Sequence, residues 1–166
     1  MRGGTMEMLE NVSNDILKLL EQLEVILKNV NINKVATKTN SQDRTIKQIV
    51  GHMCDSASNN THRIIHLQYQ NSPLIFPDYA NLGMNDTWIK IQNYNSYDWD
   101  DLIHLLKYTT MHVAHVIKNI DSSKLQHQWI SALNEHITLE AMIVDYPRHF
   151  KLHFDEIVGL VASCND

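Results

Sequence analysis

Apolar residues recur at steps of three and four along four long stretches of the chain. The first stretch covers residues 6–30, the second about 45–69, the third about 99–120, and the fourth starts near residue 138. This spacing places the apolar side chains of each stretch on one face of an amphipathic helix. Because four such faces are buried most simply against one another, the pattern predicts an all-α four-helix bundle.

Residues that commonly cap helices precede these stretches. Asp43 or Thr45 stands before the second stretch, Asp98 before the third and Thr138 before the fourth. Their side chains can accept a hydrogen bond from a free backbone N–H group of the first turn. Pro147 conflicts with the last pattern, because an internal proline removes a backbone donor. We expect the last helix either to kink at Pro147 or to restart there.

A long connection joins the second and third predicted helices. Residues 70–97 hold two of the three prolines, a glycine and many asparagines, with one short helix expected after Asn85 or Asp86. Aromatic side chains are frequent in and just after this connection: Phe76, Tyr79, Trp88, Tyr94, Tyr97 and Trp99. They could wall a substrate pocket, or they could form a small apolar cluster that pins the loop. The segment between the last two helices is predicted to be a polar loop.

Length and composition fit one domain. The chain has 166 residues, of which 43% are apolar and 20% are charged, and this is the usual size of a single folded unit. We expect the domain to cover residues 6–163. Residues 1–5 are expected to be a disordered lead-in or a remnant of cloning.

Charge and cysteine content argue against several classes of function. The net charge of −5, with scattered lysines and arginines, disfavours a nucleic-acid-binding protein. No apolar run reaches the roughly 18 residues of a membrane span, so no membrane partner is expected. Cys54 and Cys164 form no CxxC motif and no disulfide framework. These features favour a cytoplasmic protein.

Histidine is unusually abundant, with ten residues, and the histidines fall into close pairs. His149 and His153 are four residues apart, so on a helix both imidazoles lie on one face within reach of a single ion. Their apolar neighbours favour positions inside the bundle, where a buried imidazole needs a partner. The other close pairs are His62/His66 and His112/His115. The polar surroundings of His62 and His66 predict a solvated helix face.

A third ligand would have to come from another helix, and His52 is the best candidate. It lies early in the second helix, and Asp55 and Ser56 follow on the same face. These two side chains could orient the imidazole or a bound water. From spacing alone, two interpretations stay open: one metal site formed by His52, His149 and His153, or three buried structural histidines.

Two segments resemble a known family. Residues 45–56, TIKQIVGHMCDS, resemble the second helix of the DinB-like proteins, which have a His-x-x-Asp-Ser pattern after an isoleucine-rich stretch. This four-helix-bundle superfamily includes the YfiT-like metal-dependent hydrolases. A second match begins with the Thr-Leu pair at residues 138–139 and reaches the His-x-x-x-His pair within residues 146–157, YPRHFKLHFDEI. The order and separation of the two segments both agree with the family.

The resemblance implies a divalent metal bound by His52, His149 and His153, in an up-and-down bundle with a long connection after the second helix. Two positions depart from the family. Leu152 stands where many members have a further histidine, and Glu156 stands where many have Gln or His. Glu156 could be a fourth ligand, a general base or a surface acid.

Two reactions follow from a three-histidine site with open coordination positions. One is hydrolysis. The other is the transfer of a low-molecular-weight thiol, which the resemblance implies as a co-substrate, to an electrophilic small molecule. Asp55 and Glu156 are the candidates for proton transfer in either reaction. Zinc or nickel is the expected metal, with iron or manganese as alternatives.

The alternative interpretation is a protein without catalytic activity. The bundle would then hold a structural or vestigial metal site and serve as a dimerisation or interaction module. A homodimer is compatible with either interpretation.

Overall fold

Five α-helices form most of the protein. The structure is a computed structural model, and it describes residues 2–163; Cys164 lies outside this range. The helices are α1 (Arg2–Asn29), α2 (Ile46–Tyr69), α3 (Asn85–Gln92), α4 (Trp99–Lys118) and α5 (Leu139–Ala162). The prediction of an all-α four-helix bundle is confirmed, with α3 as the short helix expected in the long connection.

The helix starts follow the capping residues. Thr45 begins α2 with a reciprocal pair of hydrogen bonds: the Gln48 backbone N–H donates to the Thr45 hydroxyl, and the Thr45 backbone N–H donates to the Gln48 side chain. Asp98 and Thr138 accept one backbone N–H each at the starts of α4 and α5. Of the two starts proposed for α2, Thr45 is therefore the cap.

Two details of the helices differ from the prediction. Helix α1 begins at Arg2, so residues 2–5, which were expected to be disordered, continue the helix. Helix α5 runs through Pro147 without interruption. Of the two alternatives at this residue, the restart is therefore wrong, and the kink stays a prediction. Among residues 2–163, no helix combines the length and the hydropathy that a membrane span requires.

The four long helices pack in an order that differs from their order in the chain. Helix α1 packs against α4 and α5, and α2 packs against the same two helices. Consecutive helices α1 and α2 therefore lie diagonally across the bundle, as do α4 and α5. The interior is filled by branched aliphatic side chains; the largest of those that are fully buried are Ile16, Leu23, Leu27, Ile46, Ile49, Ile64, Leu67, Leu102, Leu106, Ile117, Leu139 and Ile143.

A small sheet at one side of the bundle was not predicted. Strand β1 (Leu74–Ile75) pairs in parallel with β2 (Gln128–Ile130), which pairs antiparallel with β3 (His136–Thr138). The segment between α4 and α5, predicted as a polar loop, therefore folds back as a hairpin, with Trp129 buried at its centre. The sheet joins this hairpin to the long connection between α2 and α4.

Gly51 allows the long connection to approach α2 closely. The ring of Tyr94 lies directly against Gly51, and a Cβ atom at this position would overlap the ring. The Tyr94 hydroxyl donates to the Asp55 carboxylate one helical turn further along α2 (2.7 Å). A side chain at residue 51 would therefore displace the segment that is held against α2.

We predict that Gly51→Ala destabilises the fold by about 1–3 kcal/mol, the usual effect of an overpacked core. The matched control is Gly159→Ala on α5, where a Cβ atom meets no neighbour within 4 Å. That variant should be neutral or more stable by up to about 1 kcal/mol, because alanine has the higher helix propensity. Urea denaturation of both variants measures the difference, and equal free energies of unfolding would contradict the close approach.

Candidate metal centre

Three histidines from two helices converge in the bundle. His52 lies on α2, and His149 and His153 lie one turn apart on α5. Each offers a ring nitrogen, and these three atoms lie within 4.8 Å of one another. His52 and His153 are each 5% exposed, and His149 is half-buried. Side chains 97 or more residues apart in sequence thus meet at one point.

The imidazole rings are close and stand edge-on to one another. The Nε2 atoms of His149 and His153 are 3.3 Å apart. The ring centroids of His52 and His153 are separated by 4.9 Å, and those of His52 and His149 by 6.3 Å. A bound cation accepts lone pairs from several imidazoles at once, which is the arrangement that such a cluster favours.

Glu156 fixes the orientation of His153. Its Oε2 atom lies 2.8 Å from Nδ1 of His153. An ionised carboxylate can only accept, so this contact favours the tautomer with the proton on Nδ1, in which Nε2 has a lone pair directed at the cluster. This contact is typical of a metal-ligating histidine, whose second nitrogen is commonly bound by a carboxylate. The structure therefore gives Glu156 a positioning contact with a candidate ligand, outside the three-nitrogen cluster.

Burial keeps two of the imidazoles neutral. Desolvation, followed by the nearby His153 ring, lowers the pKa of His52 from 6.5 to about 3. The same two causes lower the pKa of His149 to about 4. Neutral imidazole is the form that binds a metal. At neutral pH, protons therefore compete weakly for these two ligands.

The residues present fit a divalent transition metal. Nδ1 of His52 is buried and has no hydrogen-bond partner among the described residues, and such an atom costs free energy unless it is satisfied. An all-imidazole donor set suits Zn, Ni, Cu or Fe rather than Mg or Ca, which prefer oxygen. The cluster provides three protein donors, one fewer than a closed structural zinc site.

A cleft of about 500 Å³ opens beside the histidines. His52 and His149 both line it, and its walls come from α2, α5, the hairpin and the connection after α2. Tyr79 and Tyr146 contribute aromatic surface, and Ser56 lies on the same face of α2 as His52. The volume is within the range of small-molecule sites.

The fold has close structural neighbours among solved structures. YfiT from Bacillus subtilis, described as a probable metal-dependent hydrolase with an unusual four-helix bundle topology, superimposes with a TM-score of 0.83. The match covers 96% of this chain and 89% of that chain at 17% sequence identity. This chain has the YfiT-like fold.

A mycothiol-dependent maleylpyruvate isomerase also shares the YfiT-like fold, with a TM-score of 0.73 and 11% identity over 90% of this chain. This chain spans 60% of the length of the isomerase chain. No protein-family model matches the sequence, and no curated protein matches it either. The resemblance inferred from the two histidine segments is thus confirmed in the fold.

Asp55, the other candidate for proton transfer, lies in a different environment from the cleft. Its Oδ1 atom accepts hydrogen bonds from the Gln92 side chain and from the Tyr94 hydroxyl, both at 2.7 Å, and it has no bond to His52. Its Oδ2 atom is buried without a partner among the described residues. Burial raises the pKa of Asp55. In this YfiT-like fold Asp55 holds α3 and the following turn against α2, and its role in proton transfer stays a prediction.

The remaining histidines lie outside the cluster. His62, His112 and His115 are exposed, and His66 is half-buried. The solvated face predicted for His62 and His66 therefore holds for His62, whereas the His66 ring lies against Tyr69 and Phe76. Cys54 is buried on another face of α2, as the sequence predicted.

The aromatic residues of the long connection divide between the two predicted roles. Tyr79 lines the cleft and stacks on Trp88, with ring centroids 4.0 Å apart. Tyr94 and Trp99 instead pin the chain: Trp99 Nε1 donates to the Leu27 carbonyl (3.3 Å). Part of the cleft wall in this YfiT-like bundle is therefore formed by the long connection.

Arg63 and Trp129 are among the cleft residues that the sequence interpretation missed. Arg63 belongs to a polar stretch that was read as a solvated face, but its side chain is buried and lines the cleft. The signal was available, because His52, Ser56, Asn59 and Arg63 follow at steps of four, three and four along one face of α2. Trp129 belongs to the unpredicted hairpin.

We predict that metal-free protein loses stability as the pH falls from about 6.5 to about 4.5. The unfolded chain takes up protons on His52 and His149 near pKa 6.5, whereas the folded protein takes them up only near pKa 3 and 4. The unfolded state therefore binds more protons in this window, and acid favours it. Urea denaturation at several pH values gives the slope.

The slope should be shallower in a His52→Gln/His149→Gln variant and unchanged in His62→Gln, which alters an exposed histidine. An unchanged slope in the double variant would show that these two imidazoles are not held neutral by burial.

Proposed function

We propose that this protein is a metal-dependent enzyme that acts on a small molecule in the cleft beside His52 and His149. The single observation that supports this is the convergence of three histidine nitrogens within 4.8 Å at the wall of a cavity of about 500 Å³. The candidate metal ligands thus lie beside a cavity that is large enough for a small molecule.

His52, His149 and His153 would hold the metal. When bound, a divalent cation supplies positive charge that lowers the pKa of a coordinated water or thiol. Glu156 keeps the His153 ring in the tautomer that offers Nε2. The burial of His52 and His149 keeps both rings unprotonated.

An enzyme is favoured over a structural or vestigial metal site by the number and the exposure of the ligands. Structural sites are closed by four protein ligands, whereas catalytic sites leave a position open. Three donors converge among the described residues. Two of the three histidines line the cleft, so a vacant position would face it.

A low-molecular-weight thiol is the co-substrate that we propose, with water as the second candidate nucleophile. Within residues 2–163 the free cysteine is Cys54, which is buried, has a raised pKa and lies outside the histidine cluster. A thiol nucleophile would therefore have to come from another molecule. The name of the mycothiol-dependent isomerase supports a thiol, and the description of YfiT supports hydrolysis.

We predict that the wild-type protein, purified without a His-tag or a nickel column, binds about one equivalent of Zn²⁺ or Ni²⁺. Loss of a single ligand in His52→Ala or His153→Ala should abolish binding. Glu156→Gln should weaken it by about 10–100-fold, because a carboxylate that supports a ligating histidine has this effect. His62→Ala is the control and should bind normally. Elemental analysis and competition with a chromophoric chelator measure all four.

Less than about 0.3 equivalents in wild type after reconstitution would contradict the metal site. Equal affinity of Glu156→Gln and wild type would show that the His153–Glu156 contact has no part in metal binding.

We predict that the metal-loaded protein conjugates a low-molecular-weight thiol to an electrophile, and that His149→Ala lowers the rate by at least 100-fold. The assay uses bacillithiol, mycothiol and glutathione with an electrophilic aromatic substrate, and an ester in the absence of thiol tests hydrolysis. If only the ester is turned over, the activity is hydrolysis and the proposed thiol transfer is wrong. Metal binding without either reaction would favour the non-catalytic alternative.

A further inference from the structure

Arg63 is a buried cation in the wall of the cleft. Its side chain is 6% exposed, and it lines the same cavity as His52 and His149. Charged side chains are seldom buried to this extent unless they are paired. The contacts of Arg63 therefore decide whether its charge has a carboxylate partner.

The guanidinium of Arg63 is held by flat and apolar groups. Its central carbon lies 3.8 Å from the ring centroid of Trp129 and 5.2 Å from that of Phe76. One terminal nitrogen contacts the sulfur of Met142 at 3.9 Å. These neighbours fix the plane of the guanidinium, but they do not neutralise its charge.

No carboxylate among the described residues pairs with Arg63. Arg44 pairs with Asp86 and Arg148 pairs with Asp145, but no acidic oxygen within residues 2–163 lies inside 4 Å of the Arg63 guanidinium. Burial lowers the pKa of Arg63 and the nearby charge of Asp78 opposes this effect, and a guanidinium remains protonated at neutral pH. The charge is thus buried without a direct ion pair among the described residues.

Asp78, the other buried charge in the cleft, accepts its hydrogen bonds from neutral groups. One of its oxygens accepts the Asn81 side-chain amide at 2.9 Å and the Ala132 backbone N–H at 2.8 Å. The other accepts the Asn81 backbone N–H at 3.4 Å. These bonds tie the long connection to the hairpin. Asp78 keeps its negative charge and acts on the Arg63 guanidinium from beyond ion-pair distance, so direct oxygen acceptors for the Arg63 N–H groups are still lacking among the described residues.

Two donors of the stacked pair are also without acceptors. Arg63 Nε and Trp129 Nε1 are buried and bond to no described residue. Both groups can only donate. A partner for this pair must therefore supply acceptor oxygens and negative charge, which describes a carboxylate.

We propose that Arg63 binds the carboxylate of a small-molecule ligand whose opposite end reaches the three histidines. This rests on the proposed function, because it assigns the substrate class of that site. The carboxylate could belong to the electrophilic substrate or to the thiol co-substrate. Arg63 would be a specificity-determining residue in both cases.

The helices give the length of such a ligand. The guanidinium lies level with Met142, which precedes His149 by seven residues, or about 10 Å along α5. His52 and Arg63 are eleven residues apart, or about 16 Å along α2. Both side chains lean towards the N-terminus of α2, and the longer Arg63 side chain reaches further in that direction than His52, which shortens the distance. Both helices therefore indicate a separation on the order of 10 Å.

A metal-free experiment tests the carboxylate site by itself. The chain has four arginines, and the Nε–H resonance of Arg63 is identified by its loss in Arg63→Lys. Titration with hexanoate should shift this resonance, whereas hexanamide, which has the same length and no charge, should not. Equal shifts with both compounds, or none with hexanoate, would overturn the proposal.

A metal-loaded experiment tests the geometry. Thiolate binding to the cobalt-substituted protein is followed by its charge-transfer absorption, with ω-mercaptoalkanoic acids of increasing length and their matched amides. The acid should bind about tenfold more tightly than the amide at chain lengths that span roughly 10 Å, and the preference should vanish in Arg63→Met. Arg148→Met, which removes an exposed charge outside the cleft lining, should retain the preference.

The two experiments separate the two proposals. Absorption from every thiol without any preference for acids would leave the metal site standing and overturn the role of Arg63. A hexanoate shift with no thiolate absorption would support Arg63 and contradict the metal site. Steady-state kinetics with carboxylated and neutral forms of each reactant then show whose carboxylate is bound: Arg63→Met should raise KM about tenfold only for the carboxylated form of that reactant.

Discussion

The candidate site depends on keeping the imidazoles of His52 and His149 uncharged in a small buried volume. Burial, followed by the nearby His153 ring, lowers the pKa of both groups. The bundle provides the necessary burial, and the Glu156 carboxylate contacts Nδ1 of His153. The proposed divalent cation would offset the cost of this burial, because it accepts the lone pairs of neutral imidazoles. The burial that keeps the rings unprotonated is therefore the same feature that suits them to the proposed metal.

Regular helix geometry made much of the protein predictable. A spacing of four residues puts His149 and His153 on one face in any helix, and Thr45, Asp98 and Thr138 mark helix starts by chemistry that acts within one turn. The position of His52, with Asp55 and Ser56 on the same face, made it the best candidate for a third ligand but left buried structural histidines as an alternative. The family resemblance then implied its pairing with His149 and His153. The structure brings the three together, while their function as ligands remains to be tested.

The features that were missed all depend on contacts distant in sequence. The three short strands pair residues from two connections, and a two- or three-residue strand is too short for its alternation to stand out from a loop. Arg63 has polar neighbours in sequence and aromatic neighbours in space, so the local reading predicted solvent. Helix α5 is a further case in which distant contacts overrule a local signal: it continues through Pro147, because tertiary packing outweighs the local cost of the proline.

The long helices and the connections joined by the small sheet contribute different residues to the cleft. The long helices hold the histidines at a fixed mutual distance, whereas Trp129, Tyr79 and Asp78 reach the cleft from two irregular connections that the strands join. Insertions and substitutions are tolerated more readily in connections than in packed helices. Exchange of these two segments would thus change the lining of the cleft and leave the histidine cluster in place. Proteins with this fold are therefore expected to differ most in the two connections that line the cleft.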